Sequence, residues 1–157
     1  MARVALGDLK EMAREVLTAL PHKNTATTLA LMGELGAGKT TFVQALAKEL
    51  GVGDTVQSPT YVLMKKYQVA SSKYQEKFQT LIHIDAYRLE KPKEFAALKP
   101  ESFLKDPKNL VCIEWPERLE GALPVPDVVL KFSADPPAGE AGGANERERH
   151  IAYEKRY

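Results

Sequence analysis

The hydrophobic pattern at the start of the chain predicts an amphipathic helix. Apolar side chains recur at helical spacing over residues 8–20, and Pro21 ends the repeat. Asp8 followed by Glu11 has the spacing of a capping box, in which each side chain accepts a hydrogen bond from a backbone amide of the first turn. We therefore expect the first helix to begin at Asp8 and to end before Pro21.

The next apolar segments predict a buried strand followed by a second helix. Residues 26–33 are short, apolar and β-branched at their start, as a strand buried on both faces should be. Apolar residues then line one face of a helix expected from Thr40 to Leu50, and Gly51 is in place to end it. Strand, glycine-containing loop and helix make up one half of a βαβ unit.

The rest of the chain predicts further strands and one short helical stretch. The strand-like segments share short runs of apolar and β-branched residues; they are residues 60–69, 77–87, 109–115, 125–134 and 146–157. The first two predict a β-hairpin, and residues 91–98 predict a short helix. Residues 134–146, rich in Ala, Gly and Pro, predict a flexible loop. The predicted fold is α/β, with a partly parallel sheet that includes a β-hairpin and is flanked by helices, in one domain over residues 1–157.

Composition and charge exclude several classes of protein. Lys and Arg total 22 against 21 for Asp and Glu, so a net charge of +1 creates no overall field toward nucleic acid or anionic lipid. This balance still allows a local basic patch, but we expect no contact with DNA. The chain has no apolar run of about 18 residues and no signal-peptide core, so we expect a cytoplasmic protein that does not contact a membrane. The single cysteine, Cys112, lies in an apolar run and is expected to be buried and inert.

The loop GELGAGKTTF, residues 33–42, matches the phosphate-binding pattern GxxxxGK(S/T). Its place between strand and helix aims backbone N–H groups and a helix N-terminus at a polyphosphate, which predicts a P-loop NTPase-like sheet. Lys39 is expected to reach the β- and γ-phosphates and Thr40 to bind magnesium. A plain glycine-rich turn with a solvated lysine is the less favoured alternative. The predicted nucleotide-binding residues are Gly33, Glu34, Leu35, Gly36, Ala37, Gly38, Lys39, Thr40 and Thr41.

Two apolar strands end in a carboxylate, LIHID at Asp85 and LVCIE at Glu114. The carboxyl ends of parallel strands meet at the ligand edge of an open sheet, so the two acids are expected to lie together. One acid would hold a metal-bound water while the other polarises the attacking water. For either acid alone, a solvated strand end is the simpler alternative. Trp115, which follows Glu114, belongs to the core or flanks the nucleotide.

The segment SPTY, residues 58–61, follows the second predicted helix, where many P-loop proteins carry a segment that senses the γ-phosphate. Thr60 is the candidate sensor, and a Ser-Pro-Thr turn entering a strand is the alternative. His22 and His150 are expected at the surface. Since His83 has no nucleophile nearby in sequence, a histidine-driven triad is not expected.

The motifs GELGAGKTTF, SPTY, HIDAYRL and IEWPERL, in this order, resemble the TsaE (YjeE) family, the ATPase component in bacterial biosynthesis of threonylcarbamoyladenosine on tRNA. The similarity covers residues 8–133, and HxDxYRL followed by EWPE is highly specific to the family. The resemblance implies an activity, that of a Mg²⁺-dependent ATP hydrolase. Hydrolysis is expected to be slow for the protein alone and faster with its partners. The roles it implies are a phosphate lysine at Lys39, magnesium ligands at Thr40 and Glu114, an acid for hydrolysis at Asp85 and a switch-like threonine at Thr60.

The resemblance also implies partners for the chain. These are a TsaD-type transferase and its TsaB-type partner, with tRNA reached indirectly through their complex. Near the C-terminus, Arg147 or Arg149 is expected to border the nucleotide. A nucleotide-gated scaffold without meaningful hydrolysis and a small P-loop kinase are the alternatives, although the chain has little length left for an acceptor-binding lid.

Overall fold

Seven strands form one sheet in the order β1-β7-β6-β2-β5-β4-β3. They are seen in a computed structural model that describes residues 2–4, 8–59, 63–135 and 148–156. The strands are β1 Ala2–Val4, β2 Thr27–Gly33, β3 Met64–Gln68, β4 Thr80–Asp85, β5 Asn109–Glu114, β6 Val128–Asp135 and β7 Glu148–Lys155. Mixed pairing with helices on the sheet confirms the predicted α/β class.

The centre of the sheet is parallel and its margins are antiparallel. Strands β6, β2, β5 and β4 run parallel, whereas β3 pairs with β4, β7 with β6 and β1 with β7 in the antiparallel sense. All six residues of β5 are buried, as expected of a central parallel strand covered on both faces. The predicted β-hairpin is confirmed in β3 and β4.

Helices cover the two faces of the sheet unequally. Helices α1 (Leu9–Ala19) and α2 (Lys39–Glu49) pack on one face, with alternate side chains of β2, β4, β5 and β6 beneath them. Two 3₁₀ helices (Pro92–Leu98 and Pro116–Leu119) and the short α3 (Glu101–Leu104) cover the other face. No helix in the described ranges is long and apolar enough to cross a membrane.

The register of the parallel strands positions the candidate residues. Asp85 at the end of β4 pairs with Glu114 at the end of β5, and Glu114 pairs with Leu31 of β2. Two residues beyond Leu31, β2 runs into the glycine loop and then into α2. The carboxyl ends of these strands therefore meet at one edge of the sheet, as the sequence predicts.

Several predicted boundaries are wrong for local reasons. The capping box does not form, because Asp8 has helical backbone angles (φ −93, ψ −6) and its side chain makes no capping hydrogen bond. Residues 77–79 precede β4, since the amides of Lys77 and Phe78 both donate to the carbonyl of Tyr74 and close a turn. The short helix predicted over residues 91–98 is confirmed, as a 3₁₀ helix from Pro92 to Leu98 with Lys91 at its N-cap.

The predicted flexible loop over residues 134–146 also begins too early. Ala134 and Asp135 belong to β6 and pair with Arg149 and Glu148 of β7, so the ladder overrides their low strand propensity. Residues 136–147 lie outside the described ranges, as do Thr60, Tyr61 and Val62 at the predicted start of the hairpin. The described part of that first hairpin strand begins at Met64. Sequence patterns missed β1, α3 and the 3₁₀ helix at Pro116–Leu119 altogether.

Candidate functional site

A cavity of about 370 Å³ lies at the edge of the sheet where the glycine loop meets the ends of β4 and β5. It is lined by Leu35, Gly36, Gly38, Lys39, Thr40, Thr41, Ser58, Asp85, Tyr87, Glu114 and Trp115. Helix α2 begins at this cavity, and the first amides of a helix have no partners within it. The cavity therefore combines backbone donors, one ammonium group and two carboxylates.

Lys39 is buried inside the glycine loop and bonds to the loop itself. Its Nζ donates to the carbonyls of Gly33 at 2.5 Å and Glu34 at 2.8 Å. Burial lowers the pKa of Lys39, and the carboxylates of Glu114, Glu117 and Asp85 oppose that shift. Carbonyl groups thus hold the ammonium at the cavity wall, and the negative charges of the neighbouring carboxylates stabilise its positive charge.

Glu114 is almost fully buried at the end of β5 and accepts a hydrogen bond from the glycine-loop helix. The Thr40 hydroxyl donates to its Oε1 at 2.7 Å, and Nε2 of the buried His83 lies 2.8 Å from the same oxygen. A strand end that is solvated, the simpler alternative for this acid, is therefore wrong. Strand β5 and helix α2 together place a hydroxyl and a carboxylate side by side at the cavity.

Asp85 is also buried, and two neighbours fix its carboxylate. Ser58 Oγ donates to Oδ2 at 2.7 Å, and the backbone amide of Tyr87 donates to Oδ1 at 3.0 Å. Hydrogen bonds to both oxygens fix the plane of the carboxylate at the cavity wall. A solvated strand end is wrong for this acid too.

Trp115 flanks the cavity and does not belong to the closed core. Its backbone adopts a left-handed conformation with φ 59, which turns the chain sharply after β5. Lys39 Nζ lies 4.3 Å from the centroid of its ring, and the Tyr87 ring lies 5.0 Å from it on a tilted plane. The indole therefore forms an aromatic wall beside the ammonium group.

Some of the predicted site residues lie beside the cavity, and others lie outside the residues that the structure describes. The carbonyls of Gly33 and Glu34 accept hydrogen bonds from Lys39. Ala37, within the same loop, is buried. Thr60 and Arg147 lie outside the described residues. Arg149 is in β7 opposite Ala134, two residues past the point where β6 pairs with Gly33, so its backbone lies at the same edge of the sheet. The structure thus brings Lys39, Thr40, Asp85, Glu114 and Trp115 together.

Sequence reasoning missed three residues that the structure places here: Ser58, Tyr87 and His83. Ser58 lies in the segment SPTY, in which the sequence points to Thr60 instead, and its hydroxyl donates to Asp85. Tyr87 follows β4 and packs on Trp115. For His83 a signal exists, because alternate residues of a strand share a face and His83 stands two residues before Asp85.

Comparison with known proteins identifies the family. A family model described as "Threonylcarbamoyl adenosine biosynthesis protein TsaE" matches residues 5–141 of this chain. The chain belongs to the TsaE family. This family takes part in the biosynthesis of threonylcarbamoyladenosine on tRNA, as the names of its members state. The resemblance inferred from the motifs is thereby confirmed.

Curated TsaE relatives come from several bacteria, and each is named "tRNA threonylcarbamoyladenosine biosynthesis protein TsaE". The protein of Haemophilus influenzae is 33% identical over 118 residues, which cover 75% of this chain and 69% of the relative. That of Nostoc sp. is 37% identical over 123 residues, covering 76% of this chain and 70% of the relative. The Synechocystis match is 38% identical over 96 residues, covering 59% of this chain and only 56% of the relative.

A solved structure supports the same fold. The crystal structure of YdiB from Bacillus subtilis superposes with a TM-score of 0.59 at 25% sequence identity. The match covers 93% of this chain and 78% of YdiB. The α/β architecture of this TsaE chain thus has an experimental counterpart.

The donor set of this TsaE chain fits a nucleotide-bound magnesium ion. Mg²⁺ favours oxygen ligands and is usually held by one or two protein groups together with substrate phosphates. Thr40 and Glu114 supply two such oxygens next to the glycine loop. Across residues 2–4, 8–59, 63–135 and 148–156, no three His, Cys, Asp or Glu side chains form a metal-binding cluster.

Gly33 and Gly36 of the TsaE glycine loop offer a matched test of backbone constraint. Both have positive φ (143 and 78), but a Cβ at Gly33 would meet the Phe132 carbonyl at 2.4 Å, whereas one at Gly36 would meet nothing within 4 Å. Gly36→Ala should lower the free energy of unfolding by about 1–2 kcal/mol from the left-handed backbone alone. Gly33→Ala should cost at least about 3 kcal/mol, because β6 must also shift. Urea unfolding measures both, and equal losses would contradict the close approach of β2 and β6.

Proposed function

We propose that this TsaE chain is a P-loop ATPase that supports threonylcarbamoyladenosine formation on tRNA. In this proposal it hydrolyses ATP with Mg²⁺ and binds, in a nucleotide-dependent way, to a complex of a TsaD-type transferase and a TsaB-type partner. The observation that carries the proposal is the meeting of Lys39, Thr40, Asp85 and Glu114 at one cavity. The matched regions cover only part of the relatives' own length, from 56% to 70% for the three relatives named above.

The glycine loop supports binding of a polyphosphate. Lys39 supplies a positive charge, and the start of α2 supplies amides that have no partner within the helix. When a nucleotide binds, phosphate oxygens would replace the carbonyls of Gly33 and Glu34 as acceptors for the Lys39 ammonium. A cavity of about 370 Å³ has room for the phosphate groups of a nucleotide.

The two acids support hydrolysis, and each has a different role in it. Thr40 and Glu114 would hold Mg²⁺, which supplies positive charge to the phosphates when it is bound. Asp85 lines the cavity and is held in place by Ser58 and the Tyr87 amide, so its carboxylate is positioned to orient a water molecule toward the γ-phosphate. Attack by that water releases ADP and inorganic phosphate, and the proton lost from the water passes to Asp85 or to solvent.

The composition of the cavity lining supports a role in which ATP hydrolysis acts on partner proteins. The cavity lining named above holds groups for phosphate, metal and water but no basic stripe for nucleic acid. Leu35, which is 68% exposed, and the exposed Tyr87 stand at its rim, beside the segment that leads to Thr60. A partner that contacts this rim would favour one nucleotide state over another, and its binding would then change as ATP is hydrolysed.

The decisive test is repeated tRNA modification in a reconstituted system. With the TsaB- and TsaD-type proteins, tRNA and the threonylcarbamoyl donor present, multiple turnovers should require wild-type protein and should fail with Asp85→Asn. ATP hydrolysis should be slow for the isolated protein and faster with partners. Thr60→Ala should weaken that stimulation more than it weakens ATP binding. Equal modification with wild-type protein, without it and with Asp85→Asn would refute the proposal, and modification without phosphate release would favour a nucleotide-gated scaffold.

A further inference from the structure

His83 is fully buried beside Glu114, yet the proposed chemistry gives it no part. On β4 it stands two residues before Asp85, and it pairs with Cys112 of β5 just as Asp85 pairs with Glu114. Its Nε2 lies 2.8 Å from Glu114 Oε1. Glu114 lines the cavity, whereas His83 is fully buried and is not among the lining residues.

The hydrogen bond between these two side chains has one direction. An ionised carboxylate offers only acceptors, so the hydrogen must be on Nε2 of His83. The other ring nitrogen, Nδ1, has no hydrogen-bond partner among the described residues. A tautomer with its hydrogen on Nε2 therefore satisfies Glu114 and leaves no N–H group unpaired in the core.

Both hydrogen bonds that described residues donate to the Glu114 carboxylate end on the same oxygen, Oε1. Thr40 approaches Oε1 from the start of α2, and His83 approaches it from β4. A glutamate side chain has three torsions, and their freedom is lost when the carboxylate is fixed on a ligand. A donor on a rigid central strand removes that freedom before any ligand arrives.

We propose that His83 is a positioning residue that presets the Glu114 carboxylate for magnesium beside Thr40. The inference rests on the proposed function, in which Glu114 is a magnesium ligand. His83 acts only through Glu114 and touches neither nucleotide nor metal. Its contribution should therefore appear in the magnesium requirement and not in the affinity for nucleotide alone.

The first test compares two substitutions of His83 with a control in the core. His83→Leu removes the donor, His83→Gln keeps an N–H group at similar reach, and Cys112→Ala alters the buried neighbour across the strand pair. Binding of ADP is followed by the fluorescence of Trp115, the one tryptophan of the chain, while MgCl₂ is titrated. His83→Leu should raise the magnesium concentration at half-maximal change about tenfold or more, and His83→Gln by less than about threefold. Cys112→Ala should leave it unchanged, and metal-free ADP should bind all four proteins equally.

The second test observes the imidazole directly. In ¹⁵N NMR spectra at neutral pH, His83 should show the tautomer with hydrogen on Nε2, and its signal should shift in Glu114→Gln. His83→Gln identifies the signal among the three histidines of the chain. Should His83→Leu fail to fold, this measurement and His83→Gln decide the matter.

Three results would overturn the inference. They are hydrogen on Nδ1, an unchanged magnesium requirement in His83→Leu, and a His83→Gln protein that melts normally but is as impaired as His83→Leu. If wild-type protein shows no magnesium dependence at all, the magnesium role of Glu114 in the proposed function fails first. An equal requirement in wild type and His83→Leu would overturn the role of His83 alone.

Discussion

Replacing Lys39 with alanine is expected to weaken ATP binding about 100-fold while the protein stays folded. A hydrogen bond from a charged donor contributes about 1.5–3 kcal/mol, and the Lys39 ammonium would make such bonds to two phosphates. The fold should survive because the hydrogen bonds that Lys39 makes to described residues end on carbonyls of its own loop, Gly33 and Glu34, which cavity water can reach after truncation. Calorimetric titration with ATP and magnesium gives the affinity, and circular dichroism checks the fold.

Lys48→Ala is the matched control for this substitution. Lys48 lies in the last turn of the same helix, is exposed and does not line the cavity. The Lys48→Ala substitution removes the same charge from the same helix but away from the cavity. The ATP affinity of this variant should therefore stay within about twofold of wild type. Wild-type affinity in Lys39→Ala would rule out the glycine loop as the phosphate site.

Asp85→Asn should slow ATP hydrolysis about 100-fold or more while ATP remains bound. Correct placement of a group that accepts the proton of attacking water contributes 10²–10⁴-fold, and asparagine keeps the size of aspartate without its charge. The amide of Tyr87 can still donate to the asparagine oxygen, so the end of β4 should hold its shape. Single-turnover release of phosphate, measured alongside ATP affinity, separates hydrolysis from binding.

Glu114→Gln is the companion variant and should fail in a different way. Glu114 contacts Thr40 and is proposed to hold Mg²⁺, so its loss should raise the magnesium requirement at least about tenfold. Hydrolysis should then recover in part at high magnesium, whereas Asp85→Asn should not recover. If Asp85→Asn is rescued by magnesium and Glu114→Gln is not, the two acids have each other's role.

Much of the site was predictable because its residues stand at the ends of regular elements. Parallel strands deliver their last side chains to one edge of a sheet, so LIHID and LVCIE were enough to bring Asp85 and Glu114 together. The glycine pattern placed Lys39 and Thr40 at the same edge. These predictions needed only strand direction and spacing, which leave a clear mark in sequence.

What sequence missed depends on contacts that no local pattern records. Nothing near Trp115 except the following proline marks its left-handed backbone, which turns the ring toward Lys39. The spacing of His83 and Asp85 indicates a shared strand face, but the contact of His83 with Glu114 depends on the neighbouring strand. Strand β1 is three residues long, and its partner in β7 is nearly the whole chain away in sequence.

The pairing of β1 with β7 also constrains the order in which the chain can assemble. Ala2 pairs with Ile151, so β1 is synthesised well before β7 and must wait for that strand before its backbone groups find their partners. Before β6 and β7 are synthesised, β2, β5 and β4 can pair in parallel, and β3 can pair with β4. Strands β6 and β7 follow as an antiparallel pair, and only then does β1 have an edge to join. Strand β1 therefore joins the sheet after β7 and does not nucleate it, and closing so long a loop slows that step.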